Sequence, residues 1–181
     1  MPRVVHLVSR FFGSLHPRAL NAETVAWVQR TLEPSELRVW EGLGRADRAE
    51  SVTVARRLDA AIASTPFAAD STWTAAALLH DVGKQVSAYG PIGRSIATVV
   101  VAIAGDETAR GWARQTGGLR GRMGRYAGHD EAGADLLAVA GARPSVAAWA
   151  GAHHRPDRWD PTGIPFPVCR ALAAADGEPA R

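Results

Sequence analysis

Lysine and cysteine are almost missing from this chain. Of its 21 basic residues, 20 are arginine, and Lys84 is the one lysine. So strong a bias reads as the habit of a GC-rich genome, and it singles out the lysine that escaped it. Cys169 is the one cysteine; it excludes an internal disulfide and suits a reducing compartment. It sits in an apolar run, which favours a buried, inert thiol over a reactive one. Long apolar runs are also missing: the longest, residues 96–104, falls far short of the ~20 residues that a membrane-spanning helix needs. His6 and Arg10 break up the apolar residues after Met1-Pro2-Arg3, and no small-residue cleavage site follows, so no secretory signal is expected. The expected location is the cytoplasm. The net charge of +3 is too mild, even with a pI near 9.7, to single out nucleic acid as a partner.

What is present is ordinary globular material in helical register. The 181 residues are 46% apolar and 22% charged, enough for one domain with a sizeable core. Val4, Val5, Val8, Phe11, Phe12 and Leu15 recur at helical spacing, and packing of this helix on its own domain is preferred over docking on a membrane. Asn21 is placed to cap a helix through residues 27–32, and Pro34-Ser35 opens another that carries Leu37, Trp40 and Leu43. Val52, Ala55, Leu58 and Ile62 mark a longer helix, ended by Ser64-Thr65-Pro66. Asp70 or Ser71 caps a helix leading to His80-Asp81, where Gly83 is placed to stop it. An apolar helix over residues 96–104 follows, then a basic, Gly-rich loop over residues 116–125 that carries Arg120, Arg122 and Arg125. Helices over residues 130–139, 144–153 and 170–176 complete the chain. Strand signals are nearly absent, so the expected fold is all-α: an N-terminal helical extension over residues 1–45 and a helical bundle over 46–181.

The residues able to carry chemistry gather at the ends of these helices. His80-Asp81 closes one, His129 opens another, His153-His154 closes a third, and Asp176 ends the last. Imidazole and carboxylate are the ligand set of Zn, Mn, Fe or Ni, and carboxylates alone also serve Mg. Neighbours on a helix point about 100° apart, so adjacent residues share one metal only from a helix end or an irregular turn. A lone histidine is more often structural, and His6 and His16 are read that way.

Residues 75–84, Ala-Ala-Ala-Leu-Leu-His-Asp-Val-Gly-Lys, resemble the signature of the HD superfamily of metal-dependent phosphohydrolases. His129-Asp130-Glu131-Ala132-Gly133 is similar to a later segment of that family. His153-His154, followed by Pro161-Thr162-Gly163-Ile164-Pro165, resembles the motif of its HD-GYP branch, with two residues inserted and Ile164 in the place of tyrosine. Leu172-Ala173-Ala174-Ala175-Asp176 is similar to the helix that delivers the last family ligand. The resemblance implies an HD-type bundle holding one or two divalent ions. It makes His80, Asp81 and Asp176 the core ligands, with Asp81 able to bridge two metals. It gives His129, His153 and His154 to a second metal, and Lys84 to the substrate phosphate. One position departs. Thirty residues before His80, in Glu50-Ser51-Val52-Thr53-Val54-Ala55, Glu50 stands where the family has histidine. Either Glu50 ligates a hard metal itself, or the site is weakened.

The activity implied is metal-assisted hydrolysis of a small phosphorylated or nucleotide-like substrate. Asp81 would position the water, Lys84 would offset developing charge, and Arg120, Arg122 and Arg125 would hold the rest of the anion. The bland alternative for that loop is a solvated connector. Two other classes stay open: a non-catalytic HD module that binds metal or nucleotide for regulation, which Glu50 favours, and a peripheral membrane protein.

Overall fold

Local capping chemistry sets where the helices begin. Asn21 Oδ1 accepts from the Thr24 N–H at 2.8 Å and opens α1 (Ala22–Thr31). Glu33 and Glu36 form a reciprocal capping box around Pro34 at the start of α2 (Pro34–Glu41). The 18-residue α3 (Arg45–Ile62) starts after Gly44, and α4 (Ser71–Leu79) starts where Asp70 Oδ1 accepts from the Thr72 N–H. A 3-10 segment (Val82–Ser87) follows α4. α5 (His129–Ala140) ends at Gly141, whose φ of 77° is a left-handed stop. α6 (Pro144–Ala152) has proline in its first turn, and α7 (Phe166–Asp176) stops at Gly177 with φ 90°. Short 3-10 turns at Pro156–Arg158 and Asp160–Thr162 join the last two.

The computed structural model describes residues 19–87 and 129–177. The expected helices over residues 4–15 and 96–104, His6, His16 and the loop with Arg120, Arg122 and Arg125 lie outside them. Among the described residues every regular element is a helix, so the fold is all-α as the sequence predicts. No described helix is long and apolar enough to cross a membrane.

The core is centred on α4, whose residues 73–79 are all buried. α3 and α6 pack along it, and α1, α2 and α7 complete its surroundings. Short side chains at Ala75, Ala76, Ala77, Ala147 and Ala150 let α4 and α6 approach, while Trp149 and Leu78 fill the space beside them. α3 contributes the stripe Val54, Ala55, Leu58 and Ile62 at helical spacing. Each fully buried leucine here, such as Leu58, Leu78 or Leu79, contributes about 1.5–3 kcal/mol. Val28, Leu32, Trp40 and Leu43, which precede residue 46, belong to the same apolar cluster as the rest. Cys169 is fully buried, and burial pushes its thiol up, which keeps it protonated and inert.

Candidate metal centre

The two most thoroughly buried helices each end in a histidine, and both rings are fixed in the same way. His80 follows the last residue of α4, and its Nδ1 lies 2.8 Å from the Ala77 carbonyl. His153 follows the last residue of α6, with Nδ1 2.9 Å from the Ala150 carbonyl. A carbonyl only accepts, so each Nδ1 carries a proton, and each Nε2 faces an oxygen of Asp81. The ring centroids are 5.3 Å apart. This arrangement, a backbone acceptor holding the far nitrogen, is how proteins orient metal-binding imidazoles.

His129 is brought in by a backbone contact. A Cβ on Gly83 would lie 1.8 Å from the His129 carbonyl oxygen and 2.7 Å from the Gly133 nitrogen. The sequence expects Gly83 to stop α4. The helix in fact ends at Leu79, and left-handed φ occurs at Gly141, Gly163 and Gly177 instead. Glycine is needed at 83 because the 3-10 segment presses directly on the first turns of α5.

Asp81 lies between these elements, and its two oxygens face different company. Oδ1 is 3.2 Å from His129 Nε2 and 3.8 Å from His153 Nε2. Oδ2 is 3.4 Å from His80 Nε2 and meets Lys84 Nζ. Asp176, the last residue of α7, places Oδ1 3.4 Å from His80 Nε2. Exposed His154 stacks on His153 with centroids 3.9 Å apart. One ligand atom each from Asp81, His129, His153 and His154 lies within 4.8 Å of the other three.

The electrostatics divide the cluster in two. Burial alone would lower His80, but the carboxylates of Asp81 and Asp176 outweigh it and hold the imidazole up at about 10. Burial would raise Asp81, yet Lys84 and His80 keep it well below the usual carboxylate range. Asp176, against the same burial penalty, is held down to about 2, chiefly by His80. His153 goes the other way: burial, then the neighbouring His154 and His80, push it well below the ordinary histidine range. It is therefore neutral, with its one proton given to Ala150, and the Nε2 lone pair faces Asp81 Oδ1. Asp81 Oδ1 and His153 Nε2 are both buried without an aligned hydrogen bond.

Buried acceptors turned toward each other are costly unless a cation lies between them. The residues present thus fit a divalent metal, and the donor set of three imidazoles and a carboxylate suits Zn, Fe, Mn or Ni. Behind the rings a void of about 10 Å³, the room of one water molecule, is bounded by His80, His153 and Asp176 and by apolar Val54, Trp149 and Leu172.

The residues expected from sequence are therefore largely brought together. His80, Asp81, Lys84 and Asp176 meet on one side, and Asp81, His129, His153 and His154 on the other. Glu50 lies half-buried on α3, one turn before Val54, and stands outside the four-residue group. Arg120, Arg122 and Arg125 lie outside the described residues. Gly83, expected as a helix stop, acts instead by close approach. Arg155, which bonds to Asp130, Glu131 and Gly151, went unread in the sequence, as did Arg143, which binds Glu36 away from this site. An arginine directly after His-His was the one local hint.

The chain matches no protein-family model, and neither curated proteins nor solved structures give a significant match.

Proposed function

We propose that this chain is a metal-dependent phosphohydrolase of the HD type, acting on a small phosphorylated or nucleotide-like substrate. The observation that carries the proposal is the lone pair of neutral, buried His153 turned at Asp81 Oδ1, with His129 and His154 around the same point. That constellation supports a cation site, and the resemblance of residues 75–84 to the HD signature supports phosphate-ester chemistry. His129, His153, His154 and Asp81 would hold one ion; His80, Asp81 and Asp176 would hold a second or complete the first. A bound divalent ion supplies Lewis acidity toward phosphoryl oxygens and acidifies water. Asp81, kept ionised at the centre of the site, would hold the ion and position its water. Lys84 Nζ, beside Asp81 Oδ2, is a cationic side chain that would offset developing phosphate charge.

A second reading, a regulatory HD module with little or no turnover, is favoured by Glu50. It would stand if the chain binds metal yet hydrolyses nothing. Assay of the purified chain against a panel of phosphate mono- and diesters, with Mn, Mg, Fe or Zn added, tests the choice. Turnover that needs added metal and disappears in Asp81→Asn is the expected result. A chain with no bound transition metal, whose properties are untouched by His80→Ala, would overturn both readings.

A further inference from the structure

Arg155 follows His154 directly and reaches back to the two helices that deliver His129, His153 and His154. Its Nη2 lies 3.2 Å from Asp130 Oδ2 and donates to the Gly151 carbonyl at 2.7 Å. Its Nη1 donates to Glu131 Oε1 at 3.2 Å. Asp130 is adjacent to His129 in the first turn of α5, and Gly151 lies in the last turn of α6, two residues before His153. One planar fork therefore bonds the neighbours of His129 and of His153-His154.

The three contacts differ in weight. Glu131 is 61% exposed, and an exposed pair of this kind contributes little. Asp130 is 1% exposed, and the guanidinium offsets part of the cost of burying its carboxylate. The Gly151 carbonyl sits among the last carbonyls of α6, which have no partner within the helix. The working contacts are thus Asp130 and Gly151, one on each ligand-bearing helix.

We infer that Arg155 is a positioning residue for the metal centre: it locks the start of α5 to the end of α6 and so sets the spacing of His129 from His153 and His154. The inference rests on the metal-centre reading above. Lysine cannot replace it, because a point charge on a flexible stem does not bond both elements in one plane.

The test is a cobalt(II) titration of the full chain after chelator treatment, read by the visible absorption of the coordinated ion, with far-UV circular dichroism as a check on folding. Arg155→Ala is expected to weaken cobalt binding by about 10–100-fold, the usual cost of losing a group that orients ligands. Arg155→Lys and Asp130→Asn are expected to bind less tightly than the parent and with an altered spectrum, since the first loses the planar fork and the second loses the charge that holds it. A residue with a merely structural role would lower thermal stability and leave the spectrum and affinity alone. Parent-like cobalt binding in folded Arg155→Ala overturns the inference. Should that variant lose its helix content, parent-like binding in Arg155→Lys overturns it equally. A parent chain that shows no cobalt spectrum overturns the metal-centre reading itself, an outcome distinct from loss of the clamp alone.

Discussion

The Glu36–Arg143 pair and the Asp81 cluster are both sunk among apolar helices, yet they meet the cost of burial differently. Glu36 is fully buried, and its two oxygens accept from Arg143 Nε at 2.9 Å, Arg143 Nη2 at 2.7 Å, the Arg143 backbone N–H at 3.1 Å and the Glu33 N–H at 3.0 Å. The remaining guanidinium N–H groups go to the Thr31 carbonyl and to the hydroxyls of Ser71 and Thr72. Every donor nitrogen has an acceptor, and burial of Glu36 is offset mainly by Arg143, which holds its carboxyl below the usual range. The Asp81 cluster has the opposite habit. Acceptor faces acceptor at 3.8 Å between His153 and Asp81, and buried ligand atoms lack aligned partners. One cluster is complete within the protein and ties α1, α2, α4 and α6 together. The other brings together four residues that could hold a metal ion. The first cluster has the character of a structural tie, and the second has the donor set of a site for such an ion.

The largest effect that breaks this comparison is expected at Glu36. Glu36→Ala leaves Arg143 without its carboxylate and should lower stability in denaturant by about 3–5 kcal/mol, while metal bound per folded molecule stays unchanged. A loss of metal that exceeds the loss of folded protein would show that the two clusters are not separate. Next is Gly83→Ala. The added methyl meets the His129 and Gly133 backbone, which cannot swing aside as a side chain does, so α5 must move. The expected cost is about 1–3 kcal/mol in stability, and metal content should fall with it because His129 leaves Asp81. Stability and metal binding like the parent's would mean that the 3-10 segment does not seat His129.

His153→Gln sharpens the contrast from the other side. It removes a neutral ligand and one hydrogen bond to Ala150, so stability should fall by no more than about 1.5 kcal/mol. Metal affinity should drop by at least ~100-fold, the upper range seen when only an orienting partner of a ligand is lost. Isothermal titration with zinc or manganese, together with chemical unfolding, separates the two quantities.

The smallest effect is a pair of opposite pH slopes in the chelated protein. His80 is held up at about 10, above its ordinary 6.5, so its contribution is fully present below pH 6.5 and is lost as pH rises from there through about 10. His153 is pushed below 6.5, so its penalty is absent above pH 6.5 and grows as pH falls below it, where the unfolded chain takes up the proton more readily. Asp176, held down to about 2, adds stability above 3.8 that is lost as pH falls from there through about 2. Melting temperature against pH is the measurement. His80→Gln should flatten the limb between pH 6.5 and 10, and His153→Gln the limb just below pH 6.5. A His80→Gln curve parallel to the parent's across the alkaline limb would remove the basis for the division of the cluster.

Much of the fold was legible because helix signals are local. Asn21, Pro34 and Asp70 cap or open helices where the sequence places them, and the apolar stripe of α3 follows from its spacing. The candidate ligands stand out in the sequence for the same reason: each lies at a helix terminus marked by a cap, a glycine or a proline. Arg155 escaped notice because its meaning depends on Asp130, which is 25 residues away in sequence. Arg143 escaped because Glu36 is 107 residues distant and nothing near either residue marks the pair. Glu50, for which the sequence leaves both ligation and a weakened site open, lies on α3 and, like His80 and Asp176, outside the four-residue group.

By itself the sequence determined that this protein is helical and that imidazoles and carboxylates stand at the helix ends. Helical period, capping and residue chemistry are properties of a few neighbouring residues and need no partner in space. Only the tertiary structure decided that Asp81 turns one oxygen to His129 and His153 and the other to His80 and Lys84. It also decided that neutral His153 faces a carboxylate across 3.8 Å. Those distances come from α4, α5, α6 and α7 packing on one another, and from a glycine at position 83 that lets two backbones touch.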